Sequence, residues 1–342
     1  MSGLRKILLP FSIIYDGITS LRNTLFDIGI LRSTRFELPV IVVGNLSVGG
    51  TGKTPHIEYL IQLLKNSTKI AVLSRGYKRK SKGFVIAAKD VTVQELGDEP
   101  FQYFLKFKEM AVAVDEDRVH GINSLLKMET HPEIILLDDA FQHRKVHASF
   151  NILLTAYGDL YVDDFLLPAG NLRESSRGAK RAEIIVVTKC PDELLTFEKQ
   201  KIKEKLKLKA YQKLFFSKVS YANEVINEND SISLNLLKNY SVILITGIAK
   251  PKPMVDFLNS KKINFRHLKY ADHHNFSELE IQQITKEFES ISLEKKIILT
   301  TEKDYARLKN RLPIFYLEIK VSLFDREHDF DTHVMTCLKS HL

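Results

Sequence analysis

Hydrophobic positions in this chain follow two rhythms. Near the N-terminus, Leu4, Ile7, Phe11, Ile14, Ile18, Leu21, Leu25 and Ile28 recur at alternating steps of three and four. That spacing predicts one apolar stripe on an α-helix. Asp16, Ser20, Asn23 and Asp27 fall off the stripe, while Arg5, Lys6, Arg22, Arg32 and Arg35 flank or punctuate it. Farther along, short apolar runs at 38–43, 69–73, 110–114 and 133–139 alternate with helical patterns at 55–64 and 117–127. Buried strands separated by helices predict an α/β fold, a mostly parallel sheet with helices on both faces. A second series of runs follows at 151–155, 183–188, 242–246, 264–270, 296–301 and 314–319. With helical stretches near 192–208, 252–260 and 277–290, it predicts a second, smaller α/β domain. The expected organisation is an N-terminal amphipathic helix at 1–35, a first domain at 36–150 and the smaller domain at 151–325. Segment 326–342 is expected to return to the first domain.

The 342 residues suffice for about two domains, and 44% hydrophobic with 27% charged residues describes a folded chain. Cys190 and Cys337 stand far apart, without the spacing of a metal site or a disulfide framework. The net charge of +8 points to an anionic partner: nucleic acid, acidic lipid headgroups or a phosphorylated substrate. Tryptophan is absent and no nucleic-acid motif occurs, so nucleic acid is not expected; no obligate protein partner is expected either. The start imitates a signal peptide, but Pro10 interrupts it, Asp16 closes it and no small-residue cleavage site follows. It is also too short and too charged to span a bilayer. Packing on the core and lying in a membrane interface both remain open for the stripe.

The chemistry begins at Ser47-Val48-Gly49-Gly50-Thr51-Gly52-Lys53-Thr54, between a predicted strand and a predicted helix that has Pro55 in its first turn. Strand, glycine-rich turn, Gly-Lys-Thr and helix form a phosphate-binding loop, so the sheet is P-loop NTPase-like. Backbone N–H groups of such a loop surround phosphate oxygens, the lysine reaches the β- and γ-phosphates, and the threonine holds Mg²⁺. Ser47 stands where the first glycine is expected, while Gly49, Gly50 and Gly52 supply backbone freedom. A bound ATP or GTP follows. Asp138-Asp139 closes an apolar run in the manner of a Walker B strand, so Thr54, Asp138 and Asp139 are the candidate Mg²⁺ ligands.

A GTPase should carry Asn/Thr-Lys-x-Asp after a later strand. Thr188-Lys189-Cys190 begins that way, but Pro191 occupies the aspartate position, which weighs against a membrane-associated GTPase switch. A soluble P-loop kinase for a small sugar or nucleoside is the other rival, and it has no use for the N-terminal stripe. Polar clusters at Gly97-Asp98-Glu99-Pro100, Leu167-Pro168-Ala169-Gly170, Leu172-Arg173-Glu174, Asp272-His273 and Thr301-Glu302-Lys303-Asp304 each have a bland reading. Asp98 and Asp272 could be helix caps. Arg173 and Glu174 could be a surface pair worth little.

Together with Ser74-Arg75-Gly76-Tyr77 and Asp138-Asp139-Ala140-Phe141-Gln142-His143, and in this order, the clusters resemble one family. It is the tetraacyldisaccharide 4′-kinases, the lipid A 4′-kinases of Gram-negative bacteria. The resemblance runs from the N-terminal stripe to about residue 308, with Asn171 in place of the proline usual before Leu-Arg-Glu. It implies an ATP- and Mg²⁺-dependent enzyme that phosphorylates the 4′-hydroxyl of an acylated disaccharide 1-phosphate, giving lipid IV-A. It further implies Asp98 as the base at the sugar hydroxyl with His273 hydrogen-bonded to it. Lys53 and Arg173 would serve the phosphates, and Ser74 and Arg75 the sugar or lipid phosphate. A four-chained lipid stays in its bilayer, so the resemblance favours the stripe as an interfacial helix on the anionic cytoplasmic face of the inner membrane.

Overall fold

The computed structural model describes residues 3–324 and 327–339. The chain forms two compact units, one of Met1–Val219 with Val321–Leu342, the other of Ser220–Lys320. The elements in order are α1 (Leu9–Asp27), β1 (Val40–Asn45), α2 (Lys53–Leu64), β2 (Ile70–Ser74), β3 (Val85–Ile86), α3 (Val93–Leu96), α4 (Asp98–Lys106) and β4 (Ala111–Val114). They continue through α5 (Arg118–Leu126), β5 (Ile134–Asp138), β6 (Phe150–Ala156), β7 (Ile184–Thr188), α6 (Thr196–Leu206) and β8 (Lys213–Ile226). Then come β9 (Ser231–Ser233), β10 (Ser241–Thr246), α7 (Lys252–Ser260), β11 (Phe265–Lys269), α8 (Glu278–Glu289), β12 (Lys296–Thr301), α9 (Glu302–Leu308), β13 (Ile314–Leu323) and α10 (Glu327–Lys339).

In the larger unit the strand order is β8-β7-β6-β1-β5-β2-β4-β3. All neighbours are parallel except the short antiparallel β3 at the edge. The strands are apolar throughout because both faces are covered. Val40 and Val42 face one core with Ile122 and Leu125 of α5 and Ile202 and Leu206 of α6. Ile41 and Val43 face the other, with Ile57, Leu60 and Ile61 of α2 and Phe330, Val334 and Leu338 of α10. This is the period-2 alternation of a strand buried on both sides. The Tyr59 hydroxyl donates to Asp331 at 2.8 Å, and the Phe215 and Phe330 rings meet edge to face.

The join falls at 219–220, not near 150. β6 and β7, expected in the smaller domain, belong to the larger sheet, where Ile41 pairs with Phe150 and Ile152 with Ile184. The cause is topological: a doubly wound sheet returns across its first strand, so strands late in sequence lie beside β1.

The smaller unit has parallel strands in the order β11-β10-β12-β13, with β9 antiparallel to the end of β8. Met254 and Leu258 of α7 pack on one face, and Ile281 and Ile284 of α8 with Leu308 of α9 on the other.

α1 carries its stripe outward. Ile7, just before the helix, Phe11, Ile14, Ile18 and Leu21 within it and Ile28 after it are each at least 60% exposed. The helix docks through its polar side. The Ser12 hydroxyl donates to the Leu166 carbonyl and accepts from the Ala169 N–H, both at 3.0 Å. The Tyr15 hydroxyl donates to the Arg173 carbonyl at 2.9 Å, and Asn23 donates to Glu174 at 2.7 Å. Among the described residues no helix is long and apolar enough to cross a membrane.

Candidate active site

Parallel pairing fixes the site before any side chain is considered. Val43 of β1 stands beside Asp138 of β5, so the chain leaves both strands at the same edge of the sheet. There β1 passes into the loop 46–52 and then α2. Gly49 and Gly52 adopt φ of +110° and +89°, left-handed values that glycine holds without strain. Ser47 and Leu172 form an antiparallel bridge, with the Val48 N–H donating to the Asn171 carbonyl and the Arg173 N–H to the Leu46 carbonyl, each at 2.7 Å. The segment before Leu-Arg-Glu is thereby stitched to the phosphate loop. Asn171 also donates its N–H to Asp164 at 3.1 Å, a bond that a proline there would lack. On the loop's other side the Thr188 hydroxyl donates to the Thr51 carbonyl at 2.7 Å, and Lys189 donates to the Gly50 carbonyl.

Two cations converge on Asp139. Arg173 grips it with both nitrogens, at 3.0 and 3.1 Å, and Lys53 lies 3.7 Å from it. Both also donate to Asn45 Oδ1, at 3.1 and 3.4 Å, and Asn45 is itself fully buried. Burial opposes charge on Asp139, but Lys53 and Arg173 outweigh it and hold the carboxyl below the ordinary carboxylate range. Asp138 is the opposite case. One oxygen accepts from Tyr103 at 3.3 Å, while the other is buried without a hydrogen-bond partner. Burial first, then the Asp139 charge, push its carboxyl up to about 7. The Tyr103 hydroxyl is shared with Thr54. A buried, unsatisfied carboxylate oxygen linked in this way to the loop threonine suits a hard cation, which supplies the missing charge.

Glycine also explains how Asp98 reaches this edge. A Cβ on Gly76 would stand 2.8 Å from the Leu96 carbonyl, and one on Gly97 would stand 3.0 Å from the Tyr77 carbonyl. The Ser74–Tyr77 and Gly97–Pro100 segments therefore meet backbone to backbone, which sets Asp98, 5% exposed, in the first turn of α4. Ser74 is buried at the end of β2, and Arg75 is exposed.

A model of the tetraacyldisaccharide-1-P 4′-kinase family matches residues 4–339. The chain belongs to that family. The tetraacyldisaccharide 4′-kinase of Flavobacterium johnsoniae is 51% identical over 100% of this chain and 99% of its own length. That of Bacteroides thetaiotaomicron is 45% identical, over 97% of this chain and 93% of its own. The crystal structure of LpxK from Aquifex aeolicus in complex with ATP matches with a TM-score of 0.80 and 34% identity, covering 98% of this chain and 99% of that one.

Within the kinase fold, the remaining motifs divide between site and scaffold. Glu174 is not a surface partner of Arg173. It is 3% exposed and bound by both Arg181 nitrogens at 2.8 and 3.0 Å, by Gln142 at 3.0 Å and by Asn23. In the smaller unit, buried Asp304 accepts from the Gly247 N–H and the Thr301 hydroxyl, both at 2.8 Å. The Gly247 carbonyl accepts the His273 N–H at 2.9 Å, and Arg307 approaches the His273 ring at 3.3 Å. The Thr-Glu-Lys-Asp motif thus secures the loop that carries His273. Asp98 belongs to the larger unit and His273 to the smaller.

Sequence reading missed Arg118. It is 2% exposed at the start of α5, with its Nε unpartnered, and its charge acts on Asp138 and Asp139. Burial lowers its pKa to about 10. A signal was present: a cation in the first turn of a helix opposes the helix dipole, so such a residue is held there for another reason.

Proposed function

We propose that this protein moves the γ-phosphoryl of ATP to the 4′-hydroxyl of tetraacyldisaccharide 1-phosphate. The observation that carries the reading is the pair of cations, Lys53 and Arg173, gathered on Asp139 beside a phosphate loop and an unsatisfied Asp138, in a chain of this family. In the reaction the 4′ oxygen bonds to phosphorus, the bond to the β–γ bridging oxygen breaks, and ADP leaves. Asp98 accepts the hydroxyl proton, with His273 as its hydrogen-bond partner. Residues Ser47, Val48, Gly49, Gly50, Thr51 and Gly52 surround the phosphates, Lys53 bonds the β- and γ-oxygens, and Arg173 brings its planar, permanently charged fork to the transferring group. Thr54 and Asp138, with Asp139 beside them, would hold Mg²⁺, which would supply positive charge to offset that of the phosphates. Ser74 and Arg75 contact the sugar or its phosphate.

The substrate fixes the location. Returning acyl carbons to water costs about 0.8 kcal/mol per CH₂, so the enzyme goes to the bilayer. The outward stripe of α1 lies in the interface on the cytoplasmic face of the inner membrane, where ATP is available. Radiolabelled transfer from ATP and from GTP, each with and without the lipid acceptor, tests the reading. Transfer that needs the lipid and prefers ATP supports it. GTP turnover indifferent to lipid would favour a switch.

A further inference from the structure

The larger unit contains a cleft of about 700 Å³ at the C-terminal end of α1 that the phosphoryl-transfer chemistry does not use. Its wall is the turn after the helix. Gly29 takes a left-handed φ of +79°, and the Leu31 N–H returns to the Leu25 carbonyl at 3.0 Å, bending the chain back over Phe26. The Ser33 hydroxyl then donates to the Arg144 carbonyl at 2.6 Å, pinning the turn to the body.

Three permanent cations line the cleft, Arg32, Arg144 and Lys180, against one carboxylate, Asp27. Asp27 pairs with Arg144 at 2.7 Å and with Lys180 at 2.9 Å, so it engages two of the three. Arg144 is largely buried and lies over the Phe26 ring, whereas the Lys180 side chain is about half exposed and Arg32 is exposed. Arg32 makes no ion pair among the described residues. Apolar side chains adjoin it: Phe26 and Leu31 line the cleft, and Ile28 and Ile30, flanking Gly29 in the same turn, are 62% and 65% exposed. An uncompensated positive cleft bordered by apolar side chains matches a phosphodiester at the headgroup level with acyl chains beside it.

We propose that this cleft receives the headgroup phosphate of an anionic membrane phospholipid, so that the protein reads membrane charge at one defined place. The proposal rests on the interfacial reading of α1 and adds a site to it. Arg32 and Lys180 grip the phosphate, Arg144 supports it from below, and the stripe enters the interface alongside.

The test is co-sedimentation of the full chain with two vesicle types, phosphatidylcholine alone and phosphatidylcholine with about 30 mol% phosphatidylglycerol. Arg32→Ala with Lys180→Ala is expected to weaken partition onto the anionic vesicles about 25-fold, at about 5-fold per basic residue, and to leave partition onto neutral vesicles unchanged. Arg32→Ala alone, which breaks no ion pair among the described residues, should give about 5-fold and guards against loosening of α1 in the double variant. The control removes equal charge elsewhere, with Lys65→Ala and Lys108→Ala after α2 and α4, helices whose residues belong to the other core of the sheet. An equal loss in that control would mean a diffuse field and overturn the site. So would unchanged anionic partition in the cleft variants, or a raised KM for the lipid acceptor in detergent micelles. Wild-type protein that bound neither vesicle would remove the interfacial reading itself.

Discussion

Asp138→Asn is expected to make the nucleotide-free protein more stable and almost inactive. Asp138 is 3% exposed, with one oxygen on Tyr103 and the other unpartnered. Burial above all, then the Asp139 charge, raise its carboxyl from 3.8 to about 7. At 1.36 kcal/mol per unit, holding it ionised near pH 8 costs about 4 kcal/mol relative to the unfolded chain. The folded pKa lies above the unfolded one, so the native state binds more protons between about pH 4 and 7 and stability falls as pH rises through that window. Asparagine keeps the shape and still accepts from Tyr103, but it carries no charge. The variant should therefore gain about 4 kcal/mol near pH 8, about half of that near pH 5.5, and nothing below about pH 4. Asp139 is shifted the opposite way, so the comparison is variant against wild type at each pH. Urea unfolding followed by circular dichroism gives the stabilities, and Mg²⁺-ATP turnover with lipid acceptor should fall about 10²–10³-fold. A variant that is destabilised near pH 8 while retaining turnover would refute the reasoning, because Asp138 would then be a structural carboxylate.

Other outcomes follow from the same site. Lys53→Ala and Thr54→Ala should each remove most transfer in protein that folds normally, and wild-type turnover in either would reject the loop assignment. Asp98→Ala and His273→Ala should each lower kcat strongly and leave ATP affinity nearly intact; acting as one unit, the double variant should be little worse than the poorer single, and multiplicative losses would separate them. Glutamate at Ile14, Ile18 and Leu21 together should weaken vesicle binding by more than about 100-fold, since each side chain contributes on the order of 1.5 kcal/mol when buried. All three are exposed, so thermal stability in detergent should hardly move, and unfolding of that variant would return the stripe to the protein core.

Much of this molecule was legible because both faces of the larger sheet are covered. Runs such as 133–139 could be read as strands, and the polar ends of β1 and β5 fall at one edge of the sheet, where Val43 stands beside Asp138. The phosphate loop and the paired aspartates needed no more than local order. The domain join was not legible, since an apolar run does not declare which sheet it enters, and β6 lies beside β1 only through long-range pairing. β8 escaped notice because its 14 residues mix buried Phe215 and Phe216 with exposed positions, which blurs the alternation. The outward stripe of α1 was ambiguous for a different reason. Periodicity gives the apolar face but not what it meets, and only the bonds of Ser12, Tyr15 and Asn23 settle which side docks. Glu174 looked like half of a surface pair because its partner Arg181 is seven residues on and Asn23 is far upstream.

The most direct test of the central claim is the position of the new phosphate. Purified protein is incubated with ATP, Mg²⁺ and tetraacyldisaccharide 1-phosphate in detergent, and the product is resolved by mass spectrometry and phosphorus–proton correlation NMR. The expected product carries its second phosphate on the 4′ oxygen, and Lys53→Ala yields none. A phosphate at any other hydroxyl, or ATP hydrolysis without a doubly phosphorylated lipid, would contradict the account.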